Sequence, residues 1–446
     1  MNYLFYLEPY AFLLRSNDKT VVYNTLNATY LICPDYPIVQ LIIEQWQNPT
    51  NGYSVLLDKE MMENEVVRHF VEAVRELFSG DCIEYDGKFP KPYIFQPTLF
   101  LNSDIRVKDE EKKASLGNRV MENLNEVNLY LPATCELECP ACTSYFHQIN
   151  HCTVHSGDGL KTDDYRRLIR QFLMNGIKRI NIFAGGNPNK NSYVRQLLPD
   201  MEKSKVDVHL YLDNTFLCSE YEELVQQTKC VLEVLVHAEG FGNQLTEDMQ
   251  KFPYDRVKWN LIVSNESDME RIEKMEIPAE TVVQIKPFYT AENKDFFREY
   301  VYLDMQDILA APIDRKTIFR HRTLNDNFFG KLTIYPSGEV YANVNCSVLG
   351  NIQDSSLKEL LYKEITEGNA WLRIRGNEKP CNQCVNRDLC PSISNYELVI
   401  GKNNLSLNPQ LHSRSATYIK RNGLLIRKIT IKSSRPFQCA YHPLTP

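Results

Sequence analysis

The first hundred residues alternate short apolar strands with stretches of helical spacing. Two strand patterns, at 10–14 and 20–24, flank a polar turn at 16–19, which predicts a hairpin. Apolar residues recur at helical spacing over 37–46 and 65–74. A hairpin with two helices predicts a small winged-helix-like domain over residues 1–100.

From residue 127 onward the chain repeats an apolar strand followed by an amphipathic helical pattern. The predicted strands are 127–131, 179–184, 206–212, 231–237, 257–263 and 282–288. Strands that alternate with helices in this way form a parallel sheet, so the fold class is α/β. The pattern changes after residue 288. Residues 331–341 then form two alternating strands around a Pro-Ser-Gly turn, which predicts a second hairpin.

Length and composition narrow the class of protein. A chain of 446 residues is long enough for two or three domains. Its hydrophobic content of 43% and charged content of 24% are ordinary for a globular protein. A net charge of −7 gives no basic surface for nucleic acid. No apolar run approaches the roughly 20 residues that span a bilayer, and the N-terminus has no signal-peptide pattern. We expect a cytoplasmic protein with neither nucleic acid nor membrane as partner.

The 13 cysteines are clustered rather than scattered. Without an export signal they are expected to stay reduced, which argues against a disulfide framework. Two groups stand out, and metal binding explains them best. They are Cys135, Cys139 and Cys142, and then Cys381, Cys384 and Cys390.

The first group has the spacing C-x3-C-x2-C and follows the first strand of the predicted parallel sheet. The loop therefore leaves the C-terminal end of a strand, where α/β folds bind their ligands. Three thiolates hold three irons of a [4Fe–4S] cube, and four are needed to close it, so one iron stays open. Two alternatives remain. Zinc also takes short-spaced cysteines, usually as paired C-x2-C units, and the thiols can simply be structural.

This spacing resembles that of the radical S-adenosylmethionine (SAM) enzymes. In that family the open iron is chelated by the amino and carboxylate groups of SAM, and an electron from the cluster cleaves SAM to a 5′-deoxyadenosyl radical. The resemblance implies a [4Fe–4S] cluster and SAM as cofactors, an electron donor protein, and a partial (βα)6 barrel over residues 125–290. No residue is assigned to catalysis itself.

The second predicted strand ends in Gly185, Gly186, Asn187 and Pro188. Glycines let the backbone approach a ligand closely, although they also suit a plain tight turn. The stretch resembles the family's GGEP motif, whose backbone and Glu hold the amino end of SAM. Asn187 stands at the Glu position and brings no charge, which predicts SAM binding weaker by about five- to tenfold. A second departure is Ala141, where the family has an aromatic residue near the adenine.

Polar residues follow the third, fourth and fifth predicted strands. They are Asp213, Asn214, His237, Ser264 and Asn265. Such residues either contact a ligand at the rim of a barrel or cap the next helix. Ser264 and Asn265 are candidates for SAM binding. His237 is either a catalyst or a satisfied buried histidine.

The second cysteine group, with the spacing C-x2-C-x5-C, follows the 331–341 hairpin, Cys346 and a predicted helix. This order resembles the SPASM extension of radical SAM peptide maturases and implies a SPASM-like Fe–S domain with its tail over 291–446. The C-terminal cysteines are Cys346, Cys381, Cys384, Cys390 and Cys439. They can fully ligate at most one auxiliary cluster. Zinc at the first four is the alternative.

The segment LLRSNDKTVVYNTLNATYLI resembles PqqD-like precursor-recognition domains, which add a leader peptide to an exposed strand edge. The alternative is a structural or vestigial cap. In either case a linker at 101–124 is predicted to join this domain to the barrel. The chain as a whole resembles radical SAM/SPASM maturases of ribosomally made peptides (RiPPs). It also resembles their pseudo-radical-SAM companions in Bacteroidales, most in LCPSISNYELVIG.

Three functions follow from these resemblances. The first is an enzyme that cleaves SAM reductively and abstracts hydrogen from a ribosomal precursor peptide. The second is a catalytically degenerate partner that binds the precursor peptide or a second, active maturase. The third is a zinc-binding regulatory protein.

Overall fold

The computed structural model describes residues 2–17, 19–88, 116–137, 139, 141–149, 159–202, 204–303, 307–308, 312–368, 370–401, 417–421 and 424–428. Most of the predicted linker lies outside these ranges. Glu138, Pro140 and Cys439 lie outside them as well.

The N-terminal part contains two small antiparallel sheets and three helices. The sheets have the strand orders β5-β1-β6 and β2-β3-β4. The elements are β1 Asn2–Leu7, β2 Ala11–Arg15, β3 Thr20–Asn24, β4 Tyr30–Ile32, α1 Pro37–Gln47, β5 Ser54–Leu57, α2 Lys59–Glu63, α3 Glu65–Glu76 and β6 Gly80–Tyr85. The predicted hairpin is thus confirmed as β2–β3, and the two predicted helices as α1 and α3. They share a core in which the rings of Trp46 and Phe70 lie 5.7 Å apart.

The β2–β3 hairpin also shares a core with the C-terminal part of the chain. Phe12 and Tyr23 are fully buried in a cluster that includes Ile318 and Leu389. The backbone N–H of Ile313 donates to the hydroxyl of Tyr23 over 2.9 Å. The predicted domain boundary at residue 100 stays a prediction. The β2–β3 hairpin packs against residues from both sides of that boundary.

Six parallel strands form the centre of the protein, and all six predicted strands are confirmed to within one residue at each end. The strands are β7 Glu126–Tyr130, β8 Arg179–Phe183, β9 Asp207–Asp213, β10 Val231–Val236, β11 Val257–Val263 and β12 Val282–Pro287. The helices between them are α4 Cys142–Ile149, α5 Thr162–Met174, α6 Ser192–Glu202, α7 Ser219–Gln227, α8 Asn243–Lys251 and α9 Glu266–Glu273. The fold is α/β, as the sequence predicts.

The sheet extends beyond these six strands. Its order is β12-β11-β10-β9-β8-β7-β13-β14-β15, with β13 parallel to β7 and the last two strands antiparallel. The remaining elements are α10 Lys294–Tyr300, α11 Arg315–Thr323, β13 Lys331–Ile334, β14 Glu339–Tyr341, β15 Gly350–Asn351, α12 Leu357–Glu367, α13 Asn395–Ile400, β16 Thr417–Arg421 and β17 Leu424–Lys428. The predicted C-terminal hairpin is confirmed, and it completes the central sheet.

None of the helices in the described part of the chain is both long and apolar enough to cross a bilayer.

Candidate metal and cofactor site

The loop that leaves β7 brings the first three predicted cysteine ligands to one cleft. The cleft lies at the C-terminal ends of β7 to β10 and has an empty volume of about 440 Å³, including its open mouth. It is lined by Cys135, Leu137, Cys139, Cys142, Phe183, Gly185, Gly186, Tyr211, Leu212, Asp213 and Leu235. The thiol loop and the Gly-Gly stretch thus face the same space, as the parallel strand order requires.

Helix α4 begins at Cys142, and three of its side chains fix it to different parts of the protein. The hydroxyl of Tyr145 lies 3.2 Å from Nδ1 of His237, which follows β10. Nδ1 of His147 lies 2.9 Å from Oδ1 of Asn345, just before Cys346. Gln148 makes two hydrogen bonds of 2.9 and 2.8 Å to the backbone of Tyr289. The third thiol of the loop is therefore held on a rigid support.

One of the three loop thiols is a poor free thiolate. Burial raises the pKa of Cys139 to about 11, and the charges of Asp213, Cys142 and Cys135 add to the shift. A thiol with such a raised pKa stays protonated at neutral pH until a metal cation displaces the proton. Within the described ranges, no three Cys, His, Asp or Glu side chains stand close enough to ligate one metal ion.

The backbone conformation and the close neighbours of Gly185 and Gly186 explain why both positions are glycine. Gly185 has φ of +86°, a conformation that favours glycine. A Cβ at Gly186 would lie 2.5 Å from Cε2 of Phe216 and 3.2 Å from the sulfur of Cys135. Any side chain at position 186 would therefore press on the cysteine loop.

We expect Gly186→Ala to lower the free energy of unfolding by about 1–3 kcal/mol, the usual cost of overpacking, and to reduce the iron bound after anaerobic reconstitution. Iron and sulfide per chain and a urea titration measure the two effects. Adding Phe216→Ala removes the closer contact, so the double variant should regain iron. Gly376→Ala is the matched control, because a Cβ there meets its nearest atom at 3.6 Å. Equal iron in the wild type and Gly186→Ala would contradict the expectation.

The other predicted SAM-binding residues are engaged elsewhere. Oδ1 of Asn187 accepts a hydrogen bond of 3.0 Å from the hydroxyl of the fully buried Tyr221. Pro188 is buried and starts a short 3-10 turn. Asn265 caps α9 by accepting from the backbone N–H of Asp268 over 3.0 Å, and the N–H of Ser264 donates to Oδ2 of Asp268 over 2.7 Å. Their assignment to SAM stays a prediction, and only Gly185 and Gly186 of the six line the cleft.

An apolar patch lies beside the thiol loop. Tyr145, Leu235, Ile262 and Phe288 form a buried cluster on which Cys139 and Ala141 pack. The rings of Tyr145 and Phe288 lie 4.6 Å apart. Tyr145 follows Ala141 by one helical turn, so its ring is on the same side of the chain. Tyr145, which no pattern in the sequence marks, therefore places an aromatic ring beside the thiol loop.

The floor of the cleft is aromatic and uncharged. The rings of Phe183 and Tyr211 stack at 4.3 Å, and Tyr130 stacks on Phe183 at 4.5 Å. Burial raises the pKa of Tyr211 well above its usual value, and the charges of Glu233 and Glu126 add to this shift, so its hydroxyl stays neutral. Phe183 and Tyr211 thus carry no charge of their own.

Two cysteines of the second group, Cys381 and Cys390, lie near a buried arginine. Arg375 donates to the sulfur of Cys381 over 3.4 Å and makes a two-pronged ion pair with Glu397, with distances of 2.9 and 3.2 Å. Burial raises the pKa of Cys390 to about 12, while Arg375 opposes the shift. Cys384 is exposed. Arg375 and Glu397 were not predicted as partners, because nothing in their spacing marks them as a pair.

Cys346 lies in different surroundings. It packs against the main core, and Cys390 packs against the cluster that contains the β2–β3 hairpin. Burial raises the pKa of Cys346, and the nearby charges that modify it belong to Arg373, Glu364 and Glu378. The auxiliary metal site at these four cysteines stays a prediction.

No family model matches the chain, and no curated protein matches it. Among solved structures, Streptococcus suis SuiB bound to precursor peptide SuiA is 11% identical, with a TM-score of 0.42 over 90% of this chain and 98% of that one. SuiB bound to S-adenosylmethionine is also 11% identical, with a TM-score of 0.42 over 90% of this chain and 97% of that one. Native anSMEcpe with bound AdoMet is 14% identical, with a TM-score of 0.39 over 59% of this chain and 87% of that one. The function of this chain is therefore inferred from its own residues.

Proposed function

We propose that this chain is a radical SAM protein of a ribosomal-peptide maturation system. One observation carries the proposal. The three thiols of a single C-x3-C-x2-C loop line the same cleft as a Gly-Gly stretch from the next parallel strand. Three thiols and a glycine-lined opening suit a cube that is bound at three corners and open at the fourth.

In this proposal Cys135, Cys139 and Cys142 hold a [4Fe–4S] cluster, and Gly185 and Gly186 let SAM approach it. When bound, the cluster and SAM supply a one-electron cleavage of SAM that yields methionine and a carbon radical able to remove a hydrogen atom from a peptide. The chain's own contribution is to hold these groups and to exclude water. Apolar Leu137, Leu212 and Leu235 line the cleft together with the aromatic floor. The electron comes from a separate donor protein.

The precursor peptide is proposed to bind at the edge of β4. Cys33 N–H donates to Thr20 O, and Asn24 N–H donates to Thr29 O, both across the β3–β4 pair. Antiparallel pairs alternate, so the N–H and C=O groups of Tyr30 and Ile32 point to the other side of β4. In the described residues β4 is an edge strand. An outward-facing edge of this kind accepts a peptide as an added strand.

Two side chains of β4 are apolar and exposed. The exposed fraction is 41% for Tyr30 and 58% for Ile32. Such side chains can bury apolar groups of a bound peptide, which adds affinity to the backbone hydrogen bonds.

We expect Ile32→Pro to weaken binding of the candidate precursor peptide by about tenfold, because it removes one outward N–H and one apolar contact. Proline is tolerated at a strand edge, so the fold should persist. Fluorescence anisotropy with the labelled peptide encoded next to the gene measures the affinity. Leu56→Pro is the matched control, since Leu56 is 39% exposed on the edge strand β5. If both variants bind the peptide like the wild type, the β4 edge is not the peptide site.

A second candidate function is a non-catalytic partner that binds the precursor peptide or an active maturase. The observation that favours it is Asn187, whose uncharged side chain is bonded to Tyr221 rather than lining the cleft. Anaerobic reconstitution with iron and sulfide, followed by SAM and dithionite, separates the two functions. Release of 5′-deoxyadenosine supports the enzyme. A brown, iron-loaded protein that releases none supports the partner, and a colourless protein with bound zinc supports the zinc-binding regulatory protein.

A further inference from the structure

Among the described residues that line the cleft, Asp213 is the one carboxylic acid, and none is Lys, Arg or His. The other ionisable groups in this described lining are the three thiols and Tyr211. Metal binding turns the thiols into thiolates, which adds further negative charge. A ligand that carries positive charge is therefore favoured in this cleft over an anion.

Asp213 is held in place by its neighbours. Oδ1 accepts hydrogen bonds from the backbone N–H and the hydroxyl of Thr215, over 3.0 and 2.7 Å. Oδ2 lies 3.3 Å from Nε2 of His237. A carboxylate accepts about four hydrogen bonds, so Oδ2 keeps capacity for a donor from a ligand.

The carboxylate stays ionised although it is 5% exposed. Burial acts to raise the pKa of Asp213, but the interactions with His237 and Thr215 outweigh it and lower the pKa below the usual value. His237 is itself fixed by Tyr145 on α4. A buried, fixed negative charge thus stands at the wall of the cleft, near Cys139.

We propose that Asp213 binds the ammonium group of SAM and supplies the negative charge that Asn187 lacks. Asn187 has no charge and its carboxamide is bonded to Tyr221, away from the lining residues of the cleft. Asp213 follows on the next strand of the sheet, since β9 pairs with β8, and it does line the cleft. The role rests on the proposed function, because it assumes SAM as the ligand.

The test compares SAM binding to the iron-loaded full chain by anaerobic calorimetry without reductant, so that no turnover occurs. We expect Asp213→Asn to weaken SAM binding by about tenfold, the difference between a charge-assisted and a neutral hydrogen bond. Asp213→Glu keeps the charge and should stay within a few-fold of the wild type. Asp207→Asn is the matched control, because it removes the same charge from the exposed opposite end of β9. Iron and sulfide per chain should be equal in all four proteins.

Four results would overturn the role of Asp213 in SAM binding. Equal SAM affinity in the wild type and Asp213→Asn overturns the role of Asp213 and leaves the proposed function intact. A wild type that loads iron but binds no SAM contradicts the proposed function and this role with it. Loss of iron in Asp213→Asn would make Asp213 a support of the cysteine loop and overturn its role in SAM binding. A loss of affinity in Asp213→Glu as large as in Asp213→Asn would show that charge is not what matters.

Discussion

Cys142→Ala is expected to abolish formation of 5′-deoxyadenosine and to remove most of the iron from the reconstituted protein. A cube bound at three corners has no spare ligand, so the loss of one thiolate opens a second corner. Cys142 is also the first residue of α4, whose side chains are anchored to His237, Asn345 and Tyr289. A neighbouring residue of the loop therefore cannot move easily into its place. Iron analysis and chromatography of the dithionite reaction measure both effects.

Cys218→Ala is the control for this experiment. Cys218 is exposed and lies between β9 and α7. Its removal takes one thiol from the chain without touching the cleft, so iron content and product should match the wild type. Full product formation by Cys142→Ala would refute the proposed enzyme. A complete loss of iron in Cys218→Ala would show that the loop of three thiols is not the principal metal site.

Arg375→Met is expected to lower the free energy of unfolding by about 3–5 kcal/mol, the usual effect of breaking a buried ion pair by removing one partner. The side chains of Arg375 and Glu397 are 9% and 1% exposed, and Glu397 also accepts from the backbone N–H of Ser394 at the start of α13. Without Arg375 the carboxylate stays buried with its charge uncompensated. Urea titration followed by circular dichroism gives the change in midpoint.

Arg298→Ala serves as the reference, because Arg298 and Asp295 are 58% and 95% exposed and such pairs contribute about 0–1 kcal/mol. Combining Arg375→Met with Glu397→Leu removes both charges and should recover much of the loss. A double variant as unstable as Arg375→Met alone would mean that packing, and not the ion pair, dominates at this place.

Local patterns predicted much of this protein. The six strands from β7 to β12 lie where their apolar runs predict them, because a strand buried on both faces needs consecutive apolar residues. The β2–β3 hairpin was found from strands that flank a polar turn. The loop of Cys135, Cys139 and Cys142 was predicted to bring its thiols together because they come from one short stretch, in which spacing along the chain limits spacing in space.

Long-range contacts were not predicted. Strand β13 joins the sheet beside β7, although about two hundred residues separate Asn128 from Thr333, whose side chains bond over 3.1 Å. Arg375 and Glu397, and Tyr221 and Asn187, are likewise pairs that no local pattern marks. Periodicity reports that a face is buried, but it does not say which distant element covers it.

The sequence by itself determined that the chain is an α/β protein and that three thiols leave the end of its first parallel strand. The tertiary structure decided which polar residues of the rim reach those thiols. It brought Asp213 into the cleft and turned the carboxamide of Asn187 toward Tyr221. The physical reason is that a side chain's direction depends on the neighbours that pack around it, and those neighbours come from strands and helices far away in the chain.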